Sequence, residues 1–216
     1  MPRIKIPRKS TTIDMTAMCD VAFLLLSFFI LATKQKPPEV LAVQTPSSVS
    51  SKAVPDKSII ITLAADGRAF LSLGDDTKKE AVLNNINATR SLGLTPAEVN
   101  KLSKVEFIGF PLNQIKGSLN IRGTIPSDKM PGIPIDSSNN EMIDWLRSVS
   151  NAYAGTDQTK LEQMLLVKGD NAALYPSFKA IKEAFKKNDI YKFRIVTNGE
   201  VVPLGSELYN QQKQGN

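Results

Sequence analysis

Residues 15–33 read MTAMCDVAFLLLSFFILAT, and this stretch decides the architecture of the chain. As a helix rising about 1.5 Å per residue it spans roughly 28 Å, which matches a bilayer hydrocarbon core of about 30 Å. Such a segment is typical of a transmembrane helix or of a signal peptide. Because Asp20 interrupts the apolar run and no small-x-small cleavage site follows it, the pattern favours a retained anchor.

The basic residues on either side of this stretch predict its orientation. Residues 1–12 contain four Lys or Arg and no acid, whereas only Lys34 and Lys36 follow the stretch closely. The positive-inside rule then predicts a cytoplasmic N-terminus. Everything after about residue 34 is expected across the membrane, in the periplasm of a double-membrane bacterium.

The composition argues against several classes of function. The 216 residues include no histidine, which removes the Ser-His-Asp and Cys-His catalytic arrangements and the usual zinc sites. No glycine-rich phosphate loop is present. The net charge of +6 is concentrated in the N-terminal tip, without the basic stripe interleaved with aromatics that a nucleic-acid face shows. We therefore expect no enzyme, no metal site, no cofactor and no nucleic-acid partner.

Asp20 lies inside the apolar stretch, where an ionised carboxylate is costly. Even the lenient insertion scale assigns such a residue about 2.5–3.5 kcal/mol. Intramembrane carboxylates typically mark ion or proton pathways, and burial away from water favours the neutral, protonated form. The pattern predicts that Asp20 carries a proton. Two simpler interpretations stay open: a tolerated polar residue in an anchor, and a carboxyl that pairs with a neighbouring helix for assembly.

Helical geometry gives Asp20 two polar companions. At about 100° per residue, Thr16 lies roughly 40° and Ser27 roughly 20° from Asp20 around the helix axis. These three residues form the predicted polar stripe. Asp14 lies off the stripe at the predicted helix start, where a carboxylate complements the helix dipole. Cys19 points about 100° away from Asp20 and is interpreted as a packing residue.

The later sequence predicts a small α+β domain with helices on one face of a short mixed sheet. Helix-start signals are Asp76 or Thr77 as a cap and a capping box that begins at Thr95. Asp66 and Asp170 are interpreted as turn formers. Strands are expected at 58–63, 68–73, 105–108, 164–167 and 191–197, and helices at about 77–90, 96–102, 140–153 and 176–187.

Two further features of this domain could suggest a functional site. Tyr175 is interpreted as a core aromatic rather than a catalytic residue. Four lysines are interpreted as a solvated helix face and its neighbourhood; they are Lys182, Lys186, Lys187 and Lys192. The alternative is that they contact peptidoglycan or an acidic partner. The predicted regions are a cytoplasmic basic tip (1–12), a transmembrane helix (13–33), a periplasmic linker (34–57), the α+β domain (58–203, with an irregular insert at 109–138) and a polar tail (204–216).

Residues 14–26, DMTAMCDVAFLLL, resemble the N-terminal signature of the ExbD/TolR family. That pattern has a polar residue, a threonine two positions on, and an aspartate four further on that opens the apolar helix. Ala17 departs from the proline often found after the threonine. Residues 38–48, PEVLAVQTPSS, and 164–170, MLLVKGD, are similar to later segments of the family.

By this resemblance, Asp20 corresponds to the family's proton-carrying carboxylate, Thr16 to its accompanying threonine and Asp14 to the polar position before it. The resemblance implies a dimer in the bacterial inner membrane whose helices sit inside a ring of ExbB-like multi-span subunits. Protons are then the coupling ion, and their flow energises a TonB-like protein that opens outer-membrane transporters.

Other functions remain open at this point. One is a TolR-like envelope-maintenance subunit, and another is a signal-anchored periplasmic domain whose helix is only a tether. A flagellar-type stator is disfavoured because no OmpA-like peptidoglycan-binding domain is recognisable.

Overall fold

The structure is a computed structural model of the chain. It divides into two compact units, Met1–Pro38 and Glu39–Asn216. The predicted boundaries of tip, helix, linker, domain and tail stay predictions. The described residues are 15–32, 41–49, 53–55, 57–119, 129–136, 138–155, 158–207 and 209.

Within those residues, the first unit contains helix α1 (Met15–Ala32). The helices of the second unit are α2 (Asp76–Arg90), α3 (Pro96–Ser103), α4 (Ile115–Ser118), α5 (Met142–Ala152), α6 (Gln158–Met164) and α7 (Tyr175–Lys186). Its strands are β1 (Ser47–Ser48), β2 (Ile59–Leu63), β3 (Ala69–Leu73), β4 (Phe107–Ile108), β5 (Leu165–Gly169), β6 (Arg194–Ile195) and β7 (Asn198–Gly199).

Helix α1 runs without interruption through the predicted membrane segment. Its 18 residues contain no proline or glycine, and several are the strong helix formers Leu, Ala and Met. At about 1.5 Å per residue its length is roughly 27 Å. In the part of the chain that the structure describes, α1 is the one helix long and apolar enough to cross a membrane.

A tight turn joins β2 to β3, as predicted. Gly67 adopts φ +89°, a conformation open to glycine because it lacks a Cβ, and its N–H donates to the Ala64 carbonyl at 3.0 Å. The Asp66 carboxylate accepts the N–H of Arg68 at 3.0 Å and its Nε–H at 2.6 Å. The prediction that Asp66 is a turn former is confirmed.

Five strands form one mixed sheet in the order β4-β3-β2-β5-β6. The β2–β3 and β3–β4 pairs are antiparallel, whereas the β2–β5 and β5–β6 pairs are parallel. A separate parallel pair joins β1 to β7, with Ser47 opposite Asn198 and Ser48 opposite Gly199. The short mixed sheet agrees with the prediction.

The helices pack on one face of this sheet, which confirms the predicted fold class. Because side chains alternate along a strand, Ile59, Ile61 and Leu63 of β2 share the face that the helices bury. The opposite face carries a smaller cluster around Phe70. Buried partners of the main core include Val82 and Ile86 of α2, Trp145 and Val149 of α5, and Ile181 and Phe185 of α7.

The capping box of α3 is confirmed, whereas the predicted cap of α2 is wrong. Thr95 Oγ1 accepts the Glu98 N–H at 3.3 Å, and Glu98 Oε2 accepts the Thr95 N–H at 2.7 Å. In α2 the cap is Asp75 rather than Asp76 or Thr77. Asp75 is the last residue with extended backbone, and its Oδ1 accepts the Thr77 N–H at 3.1 Å.

The strand predicted at 191–197 is shorter in the structure. Its register with β5 gives partners only to Arg194 and Ile195, and the chain then leaves the sheet to pair with β1. The β1–β7 pair and helix α6 were not predicted, because such short elements carry no periodic pattern.

The predicted irregular insert (109–138) is described only in part. There, a tight helical turn at Leu112–Gln114 leads directly into α4. Ile115 and Ile133 are buried in the main core, and the Ile133 N–H donates to the Ala69 carbonyl at 2.8 Å. The described part of the insert therefore helps to complete the core.

Candidate functional site

Asp20 is the only charged residue of α1. It is the sixth residue of the helix, so roughly 7.5 Å of helix precedes it at about 1.5 Å per residue. Its side chain is exposed within this unit. A carboxyl at such a position in a membrane span needs protein or trapped water around it, because lipid offers it no hydrogen bonds.

The continuous helix keeps the predicted polar stripe together. Thr16, Asp20 and Ser27 fall within a sector roughly 40° wide at about 100° per residue. Ser27 is half-buried, whereas the other side chains of α1 are exposed. The geometry allows one neighbouring surface to contact all three residues, and their roles in proton transfer stay predictions.

The structure describes only one of the two other residues named near the helix start, Asp14 and Cys19. Asp14 lies outside the described residues. Cys19 is an exposed free thiol on α1. At about 100° from Asp20 it lies outside the polar stripe.

Asp170 organises the turn between β5 and α7, as predicted. Its Oδ1 accepts the Ala172 N–H at 2.8 Å, and its Oδ2 accepts the Gln44 N–H at 3.1 Å. The Asn171 N–H also donates to the Gln44 carbonyl at 2.8 Å. Because both carboxylate oxygens accept backbone N–H groups, Asp170 fixes the segment before β1 to the end of β5.

The prediction that Tyr175 is a core aromatic is wrong. Its side chain is 65% exposed at the first position of α7. Phe178 and Phe185, one and nearly three turns further on, pack against the main core instead. Position 175 lies off that inward face, because separations of three and ten residues place it roughly 60° and 80° around the helix axis from Phe178 and Phe185, and it is the first residue of the helix.

A groove lies between α7 and residues 190–193, with a cavity volume of about 410 Å³. We call it the α7 groove. The rings of Phe185 and Phe193 stack with their centroids 4.8 Å apart. The floor of the groove is Phe185, Ile190 and Phe193, and its rim carries Tyr175, Lys179, Lys182, Glu183, Lys186 and Tyr191.

The four lysines of the predicted basic face separate in the structure. Lys182 and Lys186 line the α7 groove, whereas Lys192 lines a second cavity of about 500 Å³ that shares Phe193. Lys187 is exposed and lines neither cavity. The groove itself was not predicted, although its signal is visible: tyrosine and lysine recur at 175, 179, 182 and 186, the spacing of one helix face.

No metal site accompanies these features within the described ranges. There, no three side chains of the His, Cys, Asp and Glu types come together in a way that could hold a metal ion. The candidate chemistry of the chain therefore centres on the carboxyl of α1, and the candidate binding surface of the second unit is the α7 groove.

Comparison with known proteins identifies the family. A family model described as "Biopolymer transport protein ExbD/TolR" matches residues 7–200. No curated protein and no solved structure matches the chain. Proteins of this family are transport-associated and non-enzymatic, and together with the one apolar helix found among the described residues the match indicates a single-pass membrane protein. Since the matched segment includes both α1 and the α+β unit, the chain belongs to the ExbD/TolR family of biopolymer transport proteins.

Proposed function

We propose that this chain is the proton-carrying subunit of a membrane motor that uses the proton motive force to energise transport across the outer membrane. The observation that carries the proposal is Asp20, the only charged side chain within the 18 residues of α1. The family match supports a transport role in general. We assign the proton step to the carboxyl group of Asp20.

The energetics favour a carboxyl that alternates between two protonation states. An ionised aspartate in the span costs about 2.5–3.5 kcal/mol on the lenient scale, so contact with lipid favours the neutral form. Contact with a polar surface or trapped water favours release of the proton. Each proton that crosses the membrane supplies roughly 2.3 kcal/mol per 100 mV, which is enough to bias a conformational step. Thr16 and Ser27 support this cycle by offering hydroxyls on the same face.

The proposal includes partners and an orientation. The helices of a dimer sit inside a ring of larger ExbB-like subunits, which supply the surface that Asp20 contacts. The N-terminus is cytoplasmic because four basic residues precede α1. The α+β unit then lies in the periplasm, where it acts on a TonB-like protein. The chain lies in the inner membrane, uses no cofactor and catalyses no reaction.

Replacement of Asp20 by asparagine tests the proton role. Asp20→Asn keeps the size and most of the hydrogen bonding of the side chain but cannot release a proton. We expect the variant to insert and assemble like the wild type and to lose uptake that depends on the proton motive force, measured in cells that lack the wild-type chain. Cys19→Ala, in the same turn but off the polar stripe, is the matched control and should retain uptake.

The outcome against the proposal is uptake near the wild-type level in Asp20→Asn. Membrane extraction and co-purification of both variants separate a lost proton step from lost insertion or assembly.

Two related functions give different results in further experiments. A signal-anchored domain keeps its activity when residues 15–33 are replaced by a neutral leucine-rich anchor, whereas a motor subunit loses it. A TolR-like subunit co-purifies with partners of an envelope-maintenance system rather than with a TonB-like protein. Identification of the proteins that co-purify with the full-length chain separates these functions.

A further inference from the structure

The α7 groove combines an apolar floor with a basic rim. Phe185 and Ile190 are almost fully buried, and the Phe193 ring contacts those of Phe185 and Phe178, with centroids 4.8 and 6.4 Å apart. The floor is therefore a surface of packed aromatic and aliphatic side chains. A cavity of about 410 Å³ above it accommodates an aromatic or large aliphatic side chain.

Two tyrosines flank this floor, and both are unusually exposed for aromatic residues. Tyr175 is 65% and Tyr191 is 68% exposed. The Tyr191 hydroxyl donates to Asp189 Oδ1 at 3.2 Å, and this hydrogen bond raises the pKa of the Tyr191 phenol. Exposed tyrosines beside an apolar pocket are typical of protein-binding surfaces, where they supply contact area at low entropic cost.

The charge around the groove is strongly positive. Residues 175–194 contain six basic and two acidic residues, a local net charge of +4. Because residues 1–12 contribute another +4 to the total of +6, the rest of the chain carries a net charge of −2. Of this segment, Lys179, Lys182, Lys186 and Glu183 line the α7 groove, so its rim has a net charge of +2.

The acids near the rim leave most of this charge uncompensated. Glu183 Oε1 lies 4.0 Å from Lys179 Nζ, at the limit of an ion pair, and Asp189 accepts the Tyr191 hydroxyl. Among the described residues, no ion pair joins Lys182 or Lys186 to an acid. These two ammonium groups stand on the same face of α7 as Tyr175 and Lys179.

We propose that the α7 groove binds an acidic peptide segment of a partner protein, with one apolar side chain of that segment inserted onto the Phe193 floor. Carboxylates of the segment pair with Lys182 and Lys186, and the two tyrosines enclose the inserted side chain. The concave shape favours a peptide over a lipid surface, since a bilayer is contacted by protruding side chains rather than by a recessed floor. This site is independent of proton transfer by Asp20.

A fluorescein-labelled peptide of alternating glutamate and glycine with one central phenylalanine tests the site. Its binding to the full-length chain in nanodiscs of zwitterionic lipid is followed by fluorescence anisotropy. We expect saturable binding that weakens as salt increases, because exposed charges are screened. The double variant Lys182→Glu/Lys186→Glu should raise Kd about tenfold. Replacement of the central phenylalanine by glycine should weaken binding by a similar factor.

The matched control is Lys101→Glu/Lys104→Glu, which makes the same change of net charge at two exposed positions on and after α3. Its Kd should stay within about twofold of the wild type. Equal weakening by both double variants, or equal binding of the glycine-substituted peptide, contradicts the proposal. The proposal is also contradicted if the nanodiscs sediment with phosphatidylglycerol vesicles but do not bind the peptide. That result would identify a lipid site instead. Asp20→Asn should bind the peptide with wild-type Kd, so failure here is distinguishable from failure of the motor proposal.

Discussion

At the residue scale, Asp75 and Asp20 are carboxylates in opposite surroundings. The Thr77 hydroxyl donates to Asp75 at 2.6 Å and lowers the pKa of this carboxyl below its usual value, and Lys57, with Nζ 3.5 Å from Oδ2, adds to the effect. The neighbours of Asp20 along the chain, Cys19 and Val21, carry no charge. Asp75 is thus stabilised in its ionised form by its own chain, whereas Asp20 depends on whatever contacts α1.

The stabilised form of Asp75 predicts a pH dependence. Because its pKa is lower in the folded than in the unfolded chain, its contribution to stability is fully present above about pH 3.8 and is lost as the pH falls through the folded-state pKa. Asp75→Asn preserves the cap but removes this ionisation. We expect the variant to be less stable at pH 7, by about 0.2–1 kcal/mol, the usual range for an exposed ion pair.

The measurement is urea unfolding of the full-length chain in detergent, followed by fluorescence of Trp145, the single tryptophan, which is fully buried. The stability difference between wild type and variant should shrink as the pH is lowered below 3.8. A difference that is constant from pH 7 to pH 3 contradicts this assignment. Thr77→Val removes the hydroxyl that donates to Asp75. The loss of stability of this variant between pH 7 and pH 3 should therefore be smaller than that of the wild type.

At the element scale, the sequence predicts the elements that form from local residues and misses those that depend on long-range pairing. Helix α1 is formed by a local apolar run and lies within the segment that the sequence predicted to be helical. The capping box of α3 is equally local, since the side chains of Thr95 and Glu98 each accept the backbone N–H of the other residue. Strand β6 is limited by its register with β5, and β1 exists only because β7 lies beside it. Such long-range pairing leaves no pattern in a short segment.

Because Asp170 holds the segment before β1 through the Gln44 N–H, its removal should loosen that segment. Asp170→Ala removes the acceptor of the Gln44 and Ala172 N–H groups, and each hydrogen bond contributes about 0.5–1.5 kcal/mol. We expect faster amide hydrogen exchange at residues 44 and 172, measured by mass spectrometry on the full-length chain. Asp170→Asn retains an amide oxygen as acceptor and should show a smaller increase. Unchanged exchange at residue 44 in Asp170→Ala contradicts the structural role assigned to this carboxylate.

At the scale of the whole molecule, the sequence predicted the fold class, which the structure confirms, but not the α7 groove. Its assignment of proton transfer to Asp20 stays a prediction. Asp20 is recognisable from its neighbours along the chain. The groove requires Ile190 and Phe193 to lie beside α7, and this arrangement depends on packing of Phe193 against Phe178 and Phe185. Tyr175 was misplaced because it begins α7 and lies off the face that carries the buried residues Ile181 and Phe185.

The account as a whole depends on proton transfer through one carboxyl of a membrane helix. Its most direct test is proton flux into proteoliposomes that contain the full-length chain together with its co-purified multi-span partner, under an imposed membrane potential. The account predicts flux in the wild-type complex and none above the protein-free background in a complex with Asp20→Asn, at equal amounts of assembled protein. Equal flux in the two complexes would show that protons pass without Asp20 and would contradict the central claim.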